Sequence, residues 1–213
     1  EYVVPVICVA EPGQAIDYST LPREFAIKVS HGSGGVIVVT EKADPRVTLP
    51  EDPRVGWARI QIHPDQVDPE RINNLLEHWQ SLRFEWWPGR NPEWAYRGVV
   101  PRVVVEPLMA SRAGGPPHEY KVFCFNGHAQ VIRVDFGSVT GGKVFTHYDR
   151  EWNHLDVVFI ETGHRHTQGD LESKPTFLAD LIRVAERLTD DVDFARVDFM
   201  EDNGFLRVGE ITN

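Results

Sequence analysis

No apolar run in this chain approaches the ~18–20 residues that a membrane-spanning helix requires. The longest, Val3 to Ala10, is interrupted by Pro5 and reads as a strand or an extended lead-in. No N-terminal segment has the charged and apolar regions of a secretory signal. Cysteine is equally scarce: Cys8 and Cys124 are the whole complement, and both sit in apolar, strand-like runs. Two such residues make no disulfide framework, so a reduced, cytoplasmic setting is expected. Basic residues are outnumbered, 22 Lys and Arg against 32 Asp and Glu, for a formal charge of −10. A field of that sign repels phosphate backbones, which argues against nucleic acid as a partner. Internal repeats and low-complexity tracts are missing too. The chain opens on Glu1 rather than Met and stops at Asn213, directly after a strand pattern, so both ends read as truncations.

What is present points to a folded enzyme-sized core. Apolar residues at 41% and charged residues at 25% are ordinary globular usage. Six Trp and 11 Phe supply large buried surfaces, each ring covering roughly 150–250 Å² when enclosed. A chain of 213 residues can form one large domain or two small lobes around a cleft.

The patterning alternates hairpins with two helices. Phe25 to Val29 and Val36 to Val39 are β-branched runs flanking a glycine-rich tip, and a short strand is expected near Ala58 to Ile62. Asp68, Pro69 and Glu70 are a helix start, with Ile72, Leu75, Leu76 and Trp79 at helical spacing behind them. Trp86 to Gly89 ends that segment. Val99 to Glu106 is a near-continuous apolar strand, and residues 113–117 form a loop. Tyr120 to Phe125 and Ala129 to Val134 flank Asn126-Gly127, a strong hairpin signal, and Lys143 to Thr146 offers another strand. A second helix is expected from Ser173-Lys174-Pro175, with stripes at Phe177, Leu181, Val184, Leu188 and at Leu178, Ile182, Ala185. Phe194 to Met200 and Phe205 to Ile211 close the chain as a hairpin. The fold class is α+β.

Three constellations carry chemistry. His31, Gly32, Ser33, Gly34 and Gly35 expose backbone N–H groups that could close over phosphate oxygens, with Lys28 upstream as a point charge. The loop is neither a Walker A motif nor a dinucleotide fingerprint, and a plain flexible turn is the competing reading. The second constellation is Arg196, Asp198 and Glu210. A three-residue loop at Asp202, Asn203 and Gly204 places Arg196 opposite Glu210 and Asp198 opposite Val208. Asp198 and Glu210 then lie diagonally on one face, ~7–8 Å apart, where hard oxygens suit Mg²⁺. Arg196 on that face could hold a transferring phosphoryl group. A surface ion pair between Arg196 and Glu210 is the alternative. Third, Glu106, Pro107, Leu108 and Met109 leave a buried strand as an extended segment that could flank a heteroaromatic ring. Lys121 and Arg133 are further candidate cations. His164 and His166, with His147 and His154 upstream, admit a zinc reading, but no third ligand can be placed.

Phe25 to Gly35, Pro101 to Glu106, Glu119 to Gly127, Tyr148 to Trp152, Arg196-Val197-Asp198 and Gly209 to Thr212 follow one another in an order that resembles the TupA-like ATP-grasp family. That family is linked to teichuronopeptide and cell-surface polysaccharide synthesis, and the resemblance runs from about Leu21 to the last residue. It implies two α+β lobes with antiparallel sheets gripping ATP: residues 1–105 with the glycine-rich lid hairpin at 21–40, and residues 106–213 with a magnesium-binding hairpin. By the same resemblance Lys28 binds phosphate and His31 to Gly35 form the lid. Glu106, Pro107 and Leu108 form the adenine hinge, Lys121 is a further nucleotide contact, Asp198 and Glu210 hold magnesium, and Arg196 steadies an acyl phosphate. Many ATP-grasp enzymes carry Asn two residues after the metal Glu. Here Thr212 holds that position and Asn213 follows it, so the third ligand is open between them.

The expected activity is therefore ATP-dependent carboxylate–amine ligation, with ATP and Mg²⁺ as cofactors and with a carboxylate and an amine, an amino acid for example, as partners. A phosphotransferase on the same grip, a nucleotide-binding module without turnover and a histidine-rich metal hydrolase are the competing functions.

Overall fold

Apolar and polar residues alternate over Glu119–Val122, Ile132–Phe136 and Ala195–Phe199, a pattern that fits sheets with one buried and one polar face. The computed structural model describes residues 2–32, 34–83, 96–110, 117–136, 144–157, 160–161, 164–165, 167–168 and 171–212. Trp86 to Gly89, residues 113–116, Ser33, His166 and Asn213 therefore lie outside the described residues. The chain divides into two compact units, Pro5–Leu108 and Glu1–Val4 with Met109–Asn213.

In the unit Pro5–Leu108, the strands are β1 (Cys8–Ala10), β2 (Phe25–Val29), β3 (Val36–Val39), β4 (Arg59–Ile62) and β5 (Val103–Pro107), ordered β1-β5-β2-β3-β4. The glycine-tipped hairpin forms as its pattern predicts: β2 and β3 pair antiparallel with Phe25 opposite Val39 and Lys28 opposite Val36. The strand expected near Ala58 to Ile62 is β4, and it joins β3 in parallel. Of the apolar run from Val99, only the part from Val103 enters the sheet, while Val99 and Val100 remain exposed. Helix α1 (Pro69–Ser81) starts where expected, with the Asp68 side chain accepting the Arg71 N–H and Pro69 in the first turn. Its buried face is Ile72, Leu75, Leu76 and Trp79, all 3% exposed or less, against Ile27, Ile37, Ile62 and Val105.

Gly35 is fixed by packing. A Cβ there would lie 2.5 Å from Val29 Cγ2 and 2.9 Å from Trp57 Cδ1. Gly35→Ala is therefore expected to destabilise this unit by about 1–3 kcal/mol, the usual cost of overpacking. Thermal denaturation with an unchanged transition midpoint would show that the neighbours simply move aside.

In the second unit the strands are β6 (Glu119–Phe125), β7 (His128–Phe136), β8 (Val144–Tyr148), β9 (His154–Leu155), β10 (Ile160–Glu161), β11 (His164–Arg165), β12 (Thr167–Gln168), β13 (Phe194–Asp202) and β14 (Phe205–Thr212). The main sheet runs β12-β8-β7-β6-β13-β14, with β9 on β8, and β10 and β11 form a separate pair. Tyr120, Val122, Ile132, Val134, Val197 and Phe199 face one way and are covered by Leu178, Leu181, Val184 and Ala185 of α2 (Leu178–Leu188). Residues 2–4 belong to this unit: Val208 N–H donates to the Tyr2 carbonyl at 2.7 Å and Val3 bridges Val208.

Three expectations need correction. Helix α2 begins at Leu178, three residues beyond Pro175, and no side chain caps it. Its N-terminus is set by a turn in which Leu178 N–H donates to the Pro175 carbonyl and by burial of Leu178. The last hairpin closes through two residues, not three, because Asn203 and Gly204 take φ of 52° and 88° and Asp202 pairs with Phe205. A bulge between Asp198 and Phe199 then shifts the register, so that Asp198 faces Glu210 directly and Arg196 faces Thr212.

Candidate functional site

The strand alternation that sends Tyr120, Val122, Val197 and Phe199 into the core leaves Glu119, Lys121, Arg196 and Asp198 on the opposite face. Register then aligns them across the sheet. Glu210 sits opposite Asp198, Asp198 opposite Lys121, Lys121 opposite Arg133, and Arg133 opposite His147. Five neighbouring strands thus contribute one chemistry-bearing side chain each to a single row, spaced about 4.8 Å from strand to strand.

Asp198, second in this row, is only 2% exposed. The Arg196 guanidinium grips it with both arms, Nε to Oδ1 at 2.6 Å and Nη2 to Oδ2 at 2.9 Å. Lys121 Nζ donates to Oδ2 at 2.6 Å and also meets Glu119 Oε1 at 2.8 Å. Arg196 Nη2 reaches Thr212 Oγ1 at 3.1 Å, so Thr212 holds the guanidinium. Burial opposes the Arg196 charge, yet the hydrogen bonds and charge of Asp198, with Glu210 and Glu119 behind it, raise its pKa above the usual value. Further along the row, Arg133 Nη2 donates to Asp135 Oδ2 at 2.7 Å, its Nε lies 2.6 Å from Oδ1 as an ion pair without hydrogen-bond alignment, and the guanidinium lies 4.6 Å over the Phe145 ring. Burial, then Arg133, push the His147 imidazole below its usual pKa, against a weaker pull from Asp135.

In the unit Pro5–Leu108 the structure brings together two of the expected residues. The Lys28 ammonium and Glu106 Oε2 form an ion pair, without hydrogen-bond alignment, on neighbouring strands. Pro107 is the last residue of β5, opposite Phe25, and Leu108 follows it, half-buried. The glycine loop is anchored at its base: Val29 N–H donates to the Gly35 carbonyl at 3.1 Å, and Ser30 N–H to the Arg102 carbonyl at 2.9 Å. Gly34 takes φ +105° with open space around it. Gly32 is half-buried beside it.

His31 turns away from an anion-binding role for its ring. The imidazole is 6% exposed, lies edge-on to Trp57 with centroids 5.2 Å apart, and its Nε2 meets the Leu82 carbonyl at 3.0 Å. Its Nδ1 is buried and meets no hydrogen-bond partner among the described residues. Burial pushes the His31 pKa below 6.5, against the pull of the Leu82 and Trp79 carbonyls. The unfolded chain therefore takes the proton first. Stability from this group is complete above about pH 6.5 and falls as pH drops below that value. Melting temperature is expected to decline between pH 6.5 and 5 in the wild type, and the decline should flatten in His31→Gln. Identical pH profiles for both proteins would contradict the assignment.

As to metal, Asp198 and Glu210 are hard oxygen donors facing each other across one strand pair, which suits a magnesium ion completed by phosphate oxygens. Among the described residues no group of three His, Cys, Asp or Glu side chains could hold a metal unaided. Of the histidines weighed for zinc, His147 belongs to the Arg133 cluster and His154 pairs with Tyr148 across β8 and β9. No helix among the described residues is long and apolar enough to cross a membrane. Glu119 and Asp135 escaped the reading of the sequence. Their signal was present as a two-residue spacing, Glu119 to Lys121 and Arg133 to Asp135, which on a strand means one face.

A family model described as "TupA-like ATPgrasp" matches residues 1–213. No curated protein matches the chain. Among solved structures, D-alanine–D-alanine ligase from Bacillus anthracis is similar at 16% identity and TM-score 0.48, over 99% of this chain and 50% of that one. The same ligase complexed with ATP gives 14% identity and TM-score 0.49, over 99% and 49%. D-cycloserine synthetase DcsG gives 13% and 0.46, over 99% and 57%. The chain spans about half the length of these solved structures.

Proposed function

The chain belongs to the TupA-like ATP-grasp family, and from that premise we propose that it is an ATP-dependent carboxylate–amine ligase that works through an acyl phosphate. The product we assign to it is an amide in a cell-surface polysaccharide or a peptide-like polymer. The observation that carries the reading is the row of Glu210, Asp198 and Lys121 on one polar sheet face, with Arg196 forked onto its centre.

Magnesium and ATP, when bound, supply the phosphoryl group and the positive charge that make a carboxylate an acylating agent. Asp198 and Glu210 are the residues that would hold the magnesium ion. Lys121 and Arg196 present fixed cations on the same face, and fixed charge is worth most where phosphoryl transfer spreads negative charge. Lys28 and the backbone of residues 31–35, including Gly32 and Ser33, are assigned to phosphate oxygens, and Glu106, Pro107 and Leu108 to the adenine edge. The acid's oxygen takes the γ-phosphoryl group and ADP leaves. The amine nitrogen then bonds to the acyl carbon, phosphate leaves, and the amine gives up a proton.

Thermal denaturation with magnesium-ATP tests the premise. Ligand at 100 times its dissociation constant should stabilise the fold by about 2.7 kcal/mol. An unmoved melting curve would end the reading. Hydroxylamine trapping tests the chemistry, because an acyl phosphate yields a hydroxamate. ADP release onto a hydroxyl acceptor without hydroxamate would reassign the chain to phosphotransfer.

A further inference from the structure

We propose that Asp198 makes the site selective for nucleotide that arrives with a divalent cation, by keeping Lys121 and Arg196 occupied until a metal displaces them. The inference rests on the nucleotide reading above and goes beyond it. Both carboxylate oxygens of Asp198 are engaged: Oδ1 by Arg196 at 2.6 Å, Oδ2 by Lys121 at 2.6 Å and by Arg196 at 2.9 Å. Lys121 is held from its other side by Glu119 at 2.8 Å. With Glu210 directly across from Asp198, three carboxylates surround two cations.

That balance disfavours either ligand alone. A metal-free triphosphate meets a cluster with excess negative charge, and the two cations suited to its oxygens already hold Asp198. A bare divalent ion must take Asp198 from two cations, leaving Lys121 buried and Arg196 half-buried, both under-compensated. Together the ligands solve each other's problem. The carboxylates turn to the metal, and Lys121 and Arg196 turn to phosphate oxygens. Coupling of this kind is reciprocal, so metal tightens nucleotide by the factor that nucleotide tightens metal.

The test uses the chain as it stands, with ATP titrated calorimetrically in EDTA or in magnesium, and Mn²⁺ alone followed by electron paramagnetic resonance. Wild type should bind ATP at least 100-fold more tightly with magnesium than in EDTA. Asp198→Asn removes the central negative charge that holds both cations, leaving Lys121 with Glu119 and Arg196 with Thr212, so its affinity for ATP in EDTA should exceed that of wild type by tenfold or more, with the magnesium dependence gone. Lys121→Met should shift the other ligand: Mn²⁺ alone should bind at least fivefold more tightly than to wild type. If Asp198→Asn does not fold, the Lys121→Met arm decides by itself. Wild type that binds magnesium-ATP, with variants that shift neither way, overturns the selection rule and leaves the nucleotide reading intact. Wild type that binds ATP under neither condition overturns both.

Discussion

Asp198→Ala is expected to lower the stability of the chain by about 3–5 kcal/mol, read as a reduced urea midpoint, because it strips a buried carboxylate from two cations. The removed group is 2% exposed and takes three short hydrogen bonds. What remains is Arg196, whose side chain is 27% exposed, and Lys121 at 10%. Water can reach these charges only in part, so screening does not rescue them. The cost should fall toward the lower end of the range, since Lys121 keeps Glu119 at 2.8 Å and Arg196 keeps Thr212 at 3.1 Å. Glu210→Ala is the matched control. Its carboxylate shares the face and the strand pairing, yet it is exposed, so its loss should stay within about 0.5 kcal/mol. Equal effects for the two variants would mean that the ion cluster does not organise the hairpin.

Much of this arrangement could be read from residue order, and the exceptions have identifiable causes. Asn126-Gly127 announced its hairpin because φ values of 49° and 75° are ones that asparagine and glycine tolerate. Asp68 announced α1 because its side chain satisfies a backbone donor that the helix cannot. The pairing of Asp198 with Glu210 was anticipated as a shared face but not as a direct opposition. A two-residue turn shortened the loop, and the bulge beyond Phe199 added a residue back on β14. Such a bulge has no pattern of its own. Gly209, where an added Cβ would come within 3.0 Å of Met200 Cε, is its only trace.

The glycine loop shows a different limit. Composition made every residue from His31 to Gly35 a candidate for phosphate, yet long-range packing divides them. His31 is claimed by Trp57 and the end of α1, and Gly35 by Val29 and Trp57. Trp57 is distant in sequence from both, so no local pattern could reveal the claim. Glu106 was expected beside an adenine ring, and its ion pair with Lys28 arises from the β2–β5 pairing, which likewise has no local signal.

Arg196→Met should separate catalysis from folding where Asp198→Ala cannot. The substitution keeps an apolar stem of similar length and leaves Asp198 its 2.6 Å bond to Lys121. The fold should therefore survive with a smaller loss than that of Asp198→Ala. Turnover should not. Deleting one pre-aimed donor from a charge-stabilising site typically costs about 10²–10³ in kcat, and single-turnover ADP release measures that loss. Arg196→Lys should recover only part of it, because an ammonium retains the charge but loses the planar two-armed fork seen on Asp198. Magnesium-ATP should still shift the melting curve of both variants, as the phosphate contacts proposed for Lys121, Lys28 and the loop backbone do not depend on Arg196. A methionine variant that releases ADP at the wild-type rate would remove Arg196 from the reaction and reduce its grip on Asp198 to a structural ion pair.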